Sequence, residues 1–148
     1  MITGGNSIKH LIKKFARRWE SWAIGLYEAD AELNLRPASR VKNPILTARD
    51  VTDIKADFIA DPFMLHENGT WYLFFEVLNS ADNLGYIAFA TSSNGRDWSY
   101  QKVVLKEPFH LSYPYVFKWN DDYYMIPETY QAGQVRLYKA DRFPDRWT

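Results

Sequence analysis

The sequence has no cysteine, which excludes disulfides, thiol nucleophiles and cysteine-ligated metal sites. Its net charge is zero, because 18 Lys and Arg balance 18 Asp and Glu. Nothing in this balance favours a nucleic acid partner. No apolar run is long enough to cross a bilayer, and Lys9, Lys13 and Lys14 interrupt the apolar stretch that a signal peptide would need. We therefore expect a soluble, cytoplasmic protein that does not bind nucleic acid.

Motifs for metals and phosphates are also missing from the sequence. The His, Asp and Glu residues show no metal-ligand spacing, and the 7 Gly residues form no phosphate-binding loop. We therefore predict no cofactor and no metal. Aromatic side chains, by contrast, make up 17% of the 148 residues, within a hydrophobic total of 47%. This composition is typical of a globular domain with a substantial core.

Residues 1–21 differ from the rest of the chain and are predicted to form a basic amphipathic helix. Apolar residues recur at helical spacing from Ile8 to Trp22, and Asn6 or Ser7 is a suitable N-cap. The opposite face is basic, with Lys9, Lys13, Lys14, Arg17 and Arg18. Because such runs usually face solvent, we interpret the helix as packed on the domain surface. The alternative is a helix that lies on an anionic membrane.

From Trp22 onward the sequence is typical of short strands separated by turns. One strand is predicted over residues 22–30, followed by a loop that contains Pro37 and Pro44. Further strands are predicted over residues 61–66, 71–77, 85–91, 98–105, 113–118, 123–128 and 134–139. Strands at this regular spacing indicate an all-β sandwich, barrel or propeller.

An internal repeat distinguishes among these all-β folds. Residues 61–77 align without a gap with residues 113–129, at a constant offset of 52, and the segment that ends at Trp98 aligns with the one that ends at Trp147. A repeated four-stranded unit of about 50 residues is typical of a β-propeller blade. Strands with apolar residues on both faces suit blades stacked face to face. We therefore predict an incomplete propeller of about two to three blades over residues 22–148, with repeats at about 61–108 and 113–148.

Two carboxylates stand at the open end of the first repeated hairpin, whose turn is Asn68–Gly69. A two-residue turn there places Asp61 directly opposite Glu76, and the same reasoning in the second repeat places Tyr113 opposite Glu128. Opposed carboxylates raise one pKa of the pair, which suits a site that needs both a proton donor and an acceptor. The structural alternative is an acid that starts a strand or pairs with an Arg.

The segment "HLSYP" lies just before and at the start of the second repeat. It brings His110, Ser112 and Tyr113 toward the channel mouth that Asp61 faces, and we predict that they bind substrate there. His110 has the chemistry to donate to a ligand hydroxyl or to hold a carboxylate. The alternative for His110 is a hydrogen bond to backbone groups within its loop.

The strings "ADPFML", "GTWYLFFE", "HLSYPYVF", "YYMIPET" and "RLYKADRFPDRW" resemble five-bladed β-propellers of the arabinanase, levansucrase and invertase type. The resemblance is strongest to the propeller domain at the N-terminus of plant glucosamine inositolphosphorylceramide transferases and its bacterial relatives. It covers about residues 20–148. The resemblance implies a fragment of a five-bladed propeller, whose missing blades come from the rest of the chain or from self-association.

In the hydrolase branch of this fold the first Asp-Pro supplies the catalytic base, and the resemblance implies that role for Asp61. A second Asp-Pro usually supplies an orienting acid, but this sequence has Tyr113-Pro114 instead. The resemblance implies recognition of a carbohydrate or sugar conjugate in a glycan-modifying protein. Asp61, Glu76 and Glu128, the acids of the two repeated hairpins, are our catalytic candidates. The alternative is a glycoside hydrolase with Asp61 as general base.

Overall fold

A computed structural model describes residues 22–148, and the helix predicted over residues 1–21 lies outside this range. The described chain is all-β, as predicted. Two 3-10 turns, Ala48–Asp50 and Tyr130–Ala132, interrupt the strands. In this part of the chain no helix is both long enough and apolar enough to cross a bilayer. The strands are β1 Tyr27–Ala29, β2 Leu35–Pro37, β3 Ala56–Glu67, β4 Thr70–Asn79, β5 Gly85–Ser92, β6 Ser99–Leu105, β7 Ser112–Trp119, β8 Asp122–Glu128, β9 Tyr138–Arg142 and β10 Arg146–Trp147.

The strands form two four-stranded antiparallel sheets and one small ribbon. The first sheet has the order β3-β4-β5-β6, the second has the order β7-β8-β9-β10, and β1 pairs with β2. Three predicted strands differ from those observed by more than two residues at an end, and one of them, predicted over 61–66, already begins at Ala56. The strand predicted over 22–30 is confined to Tyr27–Ala29, and the one predicted over 134–139 begins only at Tyr138, after an irregular connection.

The two inner hairpins have the predicted two-residue turns. Asn68 and Gly69 both have positive φ angles, 49° and 76°, the backbone that tight hairpin turns require and that Asn and Gly tolerate best. Glu67 pairs with Thr70 across this turn. In the second hairpin Asn120 has a φ of 54°, so the same residue type initiates both turns.

The first sheet is covered on both faces. One face packs against the segment that precedes β3, in a core of Ile24, Leu46, Val51, Ile59, Leu73, Phe75, Val77, Ala88 and Ala90. The other face packs against the second sheet, in a core of Phe74, Ile87, Phe89, Leu105, Leu111, Val116, Met125, Tyr138 and Trp147. Alternate residues of β4 therefore enter different cores, which explains why its sequence is apolar on both faces.

The second sheet is covered only on the face that meets the first sheet. Its outer face carries a stack in which the Phe117 ring lies 5.4 Å from Tyr115 and 5.7 Å from Tyr124. Beside this stack Leu137 and Val135 are exposed, the latter by 83%. We call these five residues the outer aromatic face. Nothing within residues 22–148 packs over it as the second sheet packs over the first.

Candidate functional site

The site is built around a β-bulge at the start of the first hairpin. Near the turn β3 and β4 follow the predicted register, with Phe63 opposite Phe74, but the register shifts before it reaches Asp61. Ala60, not Asp61, pairs with Glu76, so the predicted direct opposition of Asp61 and Glu76 is wrong by one residue. Asp61 is the extra residue of the bulge and has a φ of 52°, a left-handed conformation that is strained for a non-glycine residue.

The second hairpin repeats this bulge. Ser112, not Tyr113, pairs with Glu128, and Tyr113 has a φ of 47°. The predicted pairing of Tyr113 with Glu128 is therefore wrong for the same reason as that of Asp61 with Glu76: a bulge shifts the register by one residue. Turn length alone fixed the predicted register, whereas each Asp-Pro or Tyr-Pro step inserts one unpaired residue. A β-bulge re-aims the side chain that it carries.

The bulge brings Asp61 and Glu76 together even though they are not paired across the ladder. Their carboxyls are close enough for Glu76 to raise the pKa of Asp61, and the nearby Tyr113 main-chain N–H acts in the opposite direction. Burial, followed by the hydrogen bond and the charge of Glu76, raises the pKa of Asp61 to about 6. A carboxyl with a pKa this close to neutrality exchanges protons readily under physiological conditions.

Glu76 is the most enclosed member of the site, with 6% of its side chain exposed. Its Oε1 lies 3.1 Å from His110 Nε2, yet this contact lacks the alignment of a hydrogen bond, so the buried oxygen has no hydrogen-bond partner. An unsatisfied buried acceptor is costly. The arrangement therefore favours a donor near Glu76, and both His110 Nε2–H and a proton on Asp61 are close to it.

His110 is held from the side of the first sheet. Its Nδ1 accepts a hydrogen bond from the Gly85 N–H at 2.9 Å, which leaves the proton on Nε2, facing Glu76. The close contact with the Glu76 carboxylate raises the pKa of His110. A Cβ on Gly85 would lie 2.3 Å from the Leu111 carbonyl oxygen and 2.8 Å from Glu76 Oε1. Only glycine permits this close approach.

Ser112 and Glu128 form the second half of the cluster. The buried Ser112 hydroxyl donates to Glu128 Oε2 at 3.1 Å, and the Tyr130 N–H donates to the other carboxylate oxygen at 2.5 Å. Glu128 also contributes to the pKa of His110 through its charge. The predicted residues thus gather at one end of the two inner hairpins, but Ser112 faces Glu128 and is not part of the cleft described next.

A cleft of about 380 Å³ opens directly over Asp61. Its walls include three aromatic side chains, Trp22, Phe63 and Tyr113, and Asp61 is the only lining residue that carries a charge at neutral pH. Clefts of roughly 300–1,000 Å³ with apolar walls and few polar groups are typical of small-molecule sites. Asp61 therefore joins the cleft to the buried carboxylate behind it.

Sequence reasoning missed two kinds of residue at this site. It did not single out Trp22 as a wall of the cleft, because that side chain comes from the segment before β1. It also missed Gly85 and Gln131, which contact His110 from distant positions. The "NLGY" step after a loop was the available signal for Gly85, since Gly at the start of a strand often marks a close backbone approach.

The rest of the described surface offers less. A smaller cleft of about 190 Å³, beside Trp71 and Arg96, lies near the hairpin turns and contains none of the predicted site residues. Among residues 22–148, no group of three or more His, Asp or Glu side chains is placed to hold a metal ion.

The fold and the site define a β-propeller-type domain, and solved structures agree. A GH32 β-fructofuranosidase of Bombyx mori in complex with sucrose superposes with a TM-score of 0.63 at 15% identity, covering 84% of this chain and 29% of that one. An α-L-arabinanase of Cellvibrio cellulosa gives 0.55 at 16% identity, covering 86% and 50%. At these identities the likeness shows the fold alone.

Sequence comparison identifies the family. The profile of the N-terminal domain of glucosamine inositolphosphorylceramide transferase 1 matches residues 17–148, and the chain belongs to this family. It is 38% identical to glucosamine inositolphosphorylceramide transferase 1 of Oryza sativa subsp. indica and 36% identical to that of Arabidopsis thaliana, with 86% of this chain covered. The chain spans 19% of the length of these relatives. The predicted family is thereby confirmed.

Proposed function

We propose that this chain is a carbohydrate-recognition domain that binds a sugar or sugar conjugate in the cleft over Asp61. The observation that carries the proposal is the combination in one cleft of a single carboxyl and three aromatic side chains. Carboxylates accept hydrogen bonds from sugar hydroxyls, and aromatic rings provide flat apolar surfaces with polar edges. The name of the relatives, which refers to a transferase and an inositolphosphorylceramide, supports a sugar conjugate as the ligand.

Asp61 is the central residue of the proposal. It faces the cleft, while Glu76 behind it is too enclosed to reach a ligand. Tyr113 contributes its exposed ring to the cleft wall. Glu128 and Ser112 satisfy each other beside the cleft. The roles predicted for these residues stay predictions until a ligand is identified.

The test is a glycan-array screen of the 148-residue chain, followed by titration calorimetry of each glycan that binds. Asp61→Asn keeps the shape of the cleft and removes the charge, and we expect it to weaken binding at least about ten-fold, the effect of about 1.4 kcal/mol. Asp121→Asn, in the exposed turn of the second hairpin, is the matched control and should bind like the wild type. A chain that binds no glycan would disprove the proposal.

A second candidate function is glycoside hydrolysis with Asp61 as general base. Its support is the raised pKa of Asp61, since a base or acid works best with a pKa near the working pH. Against it, an inverting hydrolase separates its two carboxyls by roughly 6.5–9.5 Å, whereas Asp61 and Glu76 are in hydrogen-bonding reach. Release of reducing sugar from the bound glycans by the wild type, and not by Asp61→Asn, would favour this candidate.

We also propose that the two sheets are blades of a five-bladed propeller and that the outer aromatic face receives a further blade. The support is the repeat: Phe74 and Tyr72 on the first sheet correspond to Ile126 and Tyr124 on the second, and the former pair packs in the core between the sheets. Self-association is one source of the cover, and sedimentation of the 148-residue chain tests it directly. A dimer would support this source, whereas a monomer would assign the cover to another polypeptide segment.

A further inference from the structure

We infer that His110 is a positioning residue, clamped between the two sheets so that it holds Glu76 behind Asp61, and that it does not itself contact the ligand. The inference rests on the proposed sugar site and concerns how that site is kept in shape. It also reassigns His110, which the sequence predicts to bind substrate.

The first argument is that His110 has no free polar atom to offer a ligand. Its Nδ1 accepts from the Gly85 N–H at 2.9 Å, and its Nε2 faces Glu76 Oε1 at 3.1 Å. Its main-chain N–H donates to Gln131 Oε1 at 3.0 Å. His110 is also absent from the walls of the cleft over Asp61. Nδ1 and the main-chain N–H are therefore hydrogen-bonded within the protein, and Nε2 is turned toward Glu76.

The second argument is that the contacts come from both sheets. Gly85 is the first residue of β5 in the first sheet, and its carbonyl also accepts from the Leu111 N–H at 3.0 Å. Gln131 lies in the 3-10 turn that follows β8 of the second sheet. The loop between the sheets is thus tied on one side to β5 and on the other to the connection that follows Glu128, the last residue of β8. Relative movement of the sheets would displace the imidazole.

The third argument is electrostatic. The charged groups that face His110 are all carboxyls: Glu76 on β4, Glu128 on β8 and Asp61 on β3. They favour the imidazolium, but protonation of Nδ1 would set two donors, Nδ1–H and the Gly85 N–H, against each other. The clamp therefore selects the neutral Nε2–H tautomer. In this tautomer the ring carries a single N–H, on Nε2. This N–H faces Glu76 Oε1, the buried oxygen without a hydrogen-bond partner.

The test uses ¹⁵N NMR of the His110 ring and ¹³C NMR of the Asp61 carboxyl in the full 148-residue chain, without any sugar. For the wild type at pH 7 we expect a protonated Nε2, an unprotonated Nδ1, and an Asp61 titration midpoint above the ordinary value. Gln131→Ala should mix the tautomers and move the Asp61 midpoint toward its ordinary value, because the loosened loop admits water. Gln131→Glu, which keeps an acceptor, should restore both signals.

Gln134→Ala is the control, because Gln134 lies in the same connection but its side chain faces Arg136 and not His110. A doubly protonated His110 at pH 7, an Nδ1–H tautomer, or wild-type signals in Gln131→Ala would overturn the inference. None of these readouts requires a ligand. Failure of the glycan screen with intact NMR signatures would therefore remove the proposed function and leave the clamp in place.

Discussion

The two sheets share one plan but differ in what surrounds them and in what they place at the bulge. Both have an Asn-initiated inner hairpin and a left-handed bulge residue before a proline, Asp61 in the first and Tyr113 in the second. The first sheet is covered on both faces, whereas the second exposes its outer aromatic face. The common backbone shows that the bulge belongs to the repeated unit and is not by itself a sign of function.

The two bulges carry different residues, Asp61 and Tyr113, and this difference is what points to a function. The first hairpin aims a carboxyl toward the cleft, and the second aims an aromatic ring at the same cleft. One plan with two side chains thus produces an asymmetric site at the junction of the sheets. A hairpin that carried Asp at both positions would place two carboxylates there and increase their repulsion.

The largest expected effect compares a residue on a covered face of the first sheet with the corresponding residue on the uncovered face of the second sheet. Phe74→Ala removes a ring with 0% exposure from the core between the sheets and should lower the free energy of unfolding by about 3–5 kcal/mol. Ile126→Ala, at the corresponding position of the second sheet, should cost about 1 kcal/mol because its face is uncovered. Guanidinium denaturation measures both. Equal losses would mean that the outer aromatic face is covered in solution.

The second prediction concerns two glycines, Gly85 at the start of β5 and Gly133 in the connection that leads to β9. Gly85→Ala forces a Cβ against the Leu111 carbonyl and the Glu76–His110 contact, and we expect a loss of about 2–3 kcal/mol with a displaced His110 signal. Gly133→Ala meets no atom within 4 Å but keeps a φ of 65°, so we expect a loss of about 1 kcal/mol. A comparable loss in both variants would show that the close approach at Gly85 costs no more than the left-handed backbone at Gly133.

The all-β class, the family and the proximity of Asp61 to Glu76 were predictable from the sequence. These depend on local signals: alternation, the Asn-Gly turn, and matched residues at a fixed offset. The register at the bulge was not predictable from the turn, because an inserted residue leaves no mark beyond the proline that follows it. Trp22, Gly85 and Gln131 were missed because their importance arises only when segments distant in sequence are packed together.

The third prediction tests the carboxyl pair through the pH dependence of stability. The pKa of Asp61 is about 6 in the folded protein against an ordinary value of 3.8, so the unfolded chain loses this proton first as the pH rises. Stability should therefore fall between about pH 4 and pH 6, and stay lower above that range. Because Asp61 is partly exposed, we expect an effect of roughly 1 kcal/mol and not the full value of the shift.

Asp61→Asn should remove this fall, since the amide does not titrate and can still donate to Glu76. The variant should be more stable than the wild type at pH 7, and the difference should shrink below about pH 4. Urea midpoints between pH 4 and pH 8 provide the measurement, and Asp121→Asn, on the second hairpin, should follow the wild-type curve. An unchanged pH profile for Asp61→Asn would show that the two carboxyls do not share a proton.

The smallest expected effect compares an ion pair between the sheets with one inside the second sheet. Lys102 on β6 contacts Asp145 at 2.8 Å, and Lys139 on β9 contacts Asp122 at 2.7 Å. Arg142 and Lys102 together hold the pKa of Asp145 well below its usual range. Asp145 is the less exposed acid of the two, 20% against 47%, so Lys102→Met should cost more than Lys139→Met. Because both lysines are near the surface, each loss should stay below about 1 kcal/mol.

Ionic strength distinguishes an electrostatic cause from lost packing in these two variants. The Debye length falls with added salt, to roughly 3 Å at 1 M. The losses of stability in Lys102→Met and Lys139→Met should therefore become equal in 1 M NaCl when urea is the denaturant. A difference that persists in salt would mean that the Lys102 stem contributes apolar contact between the sheets. The junction that positions the cleft would then depend on packing alone, as the burial of Phe74 already suggests.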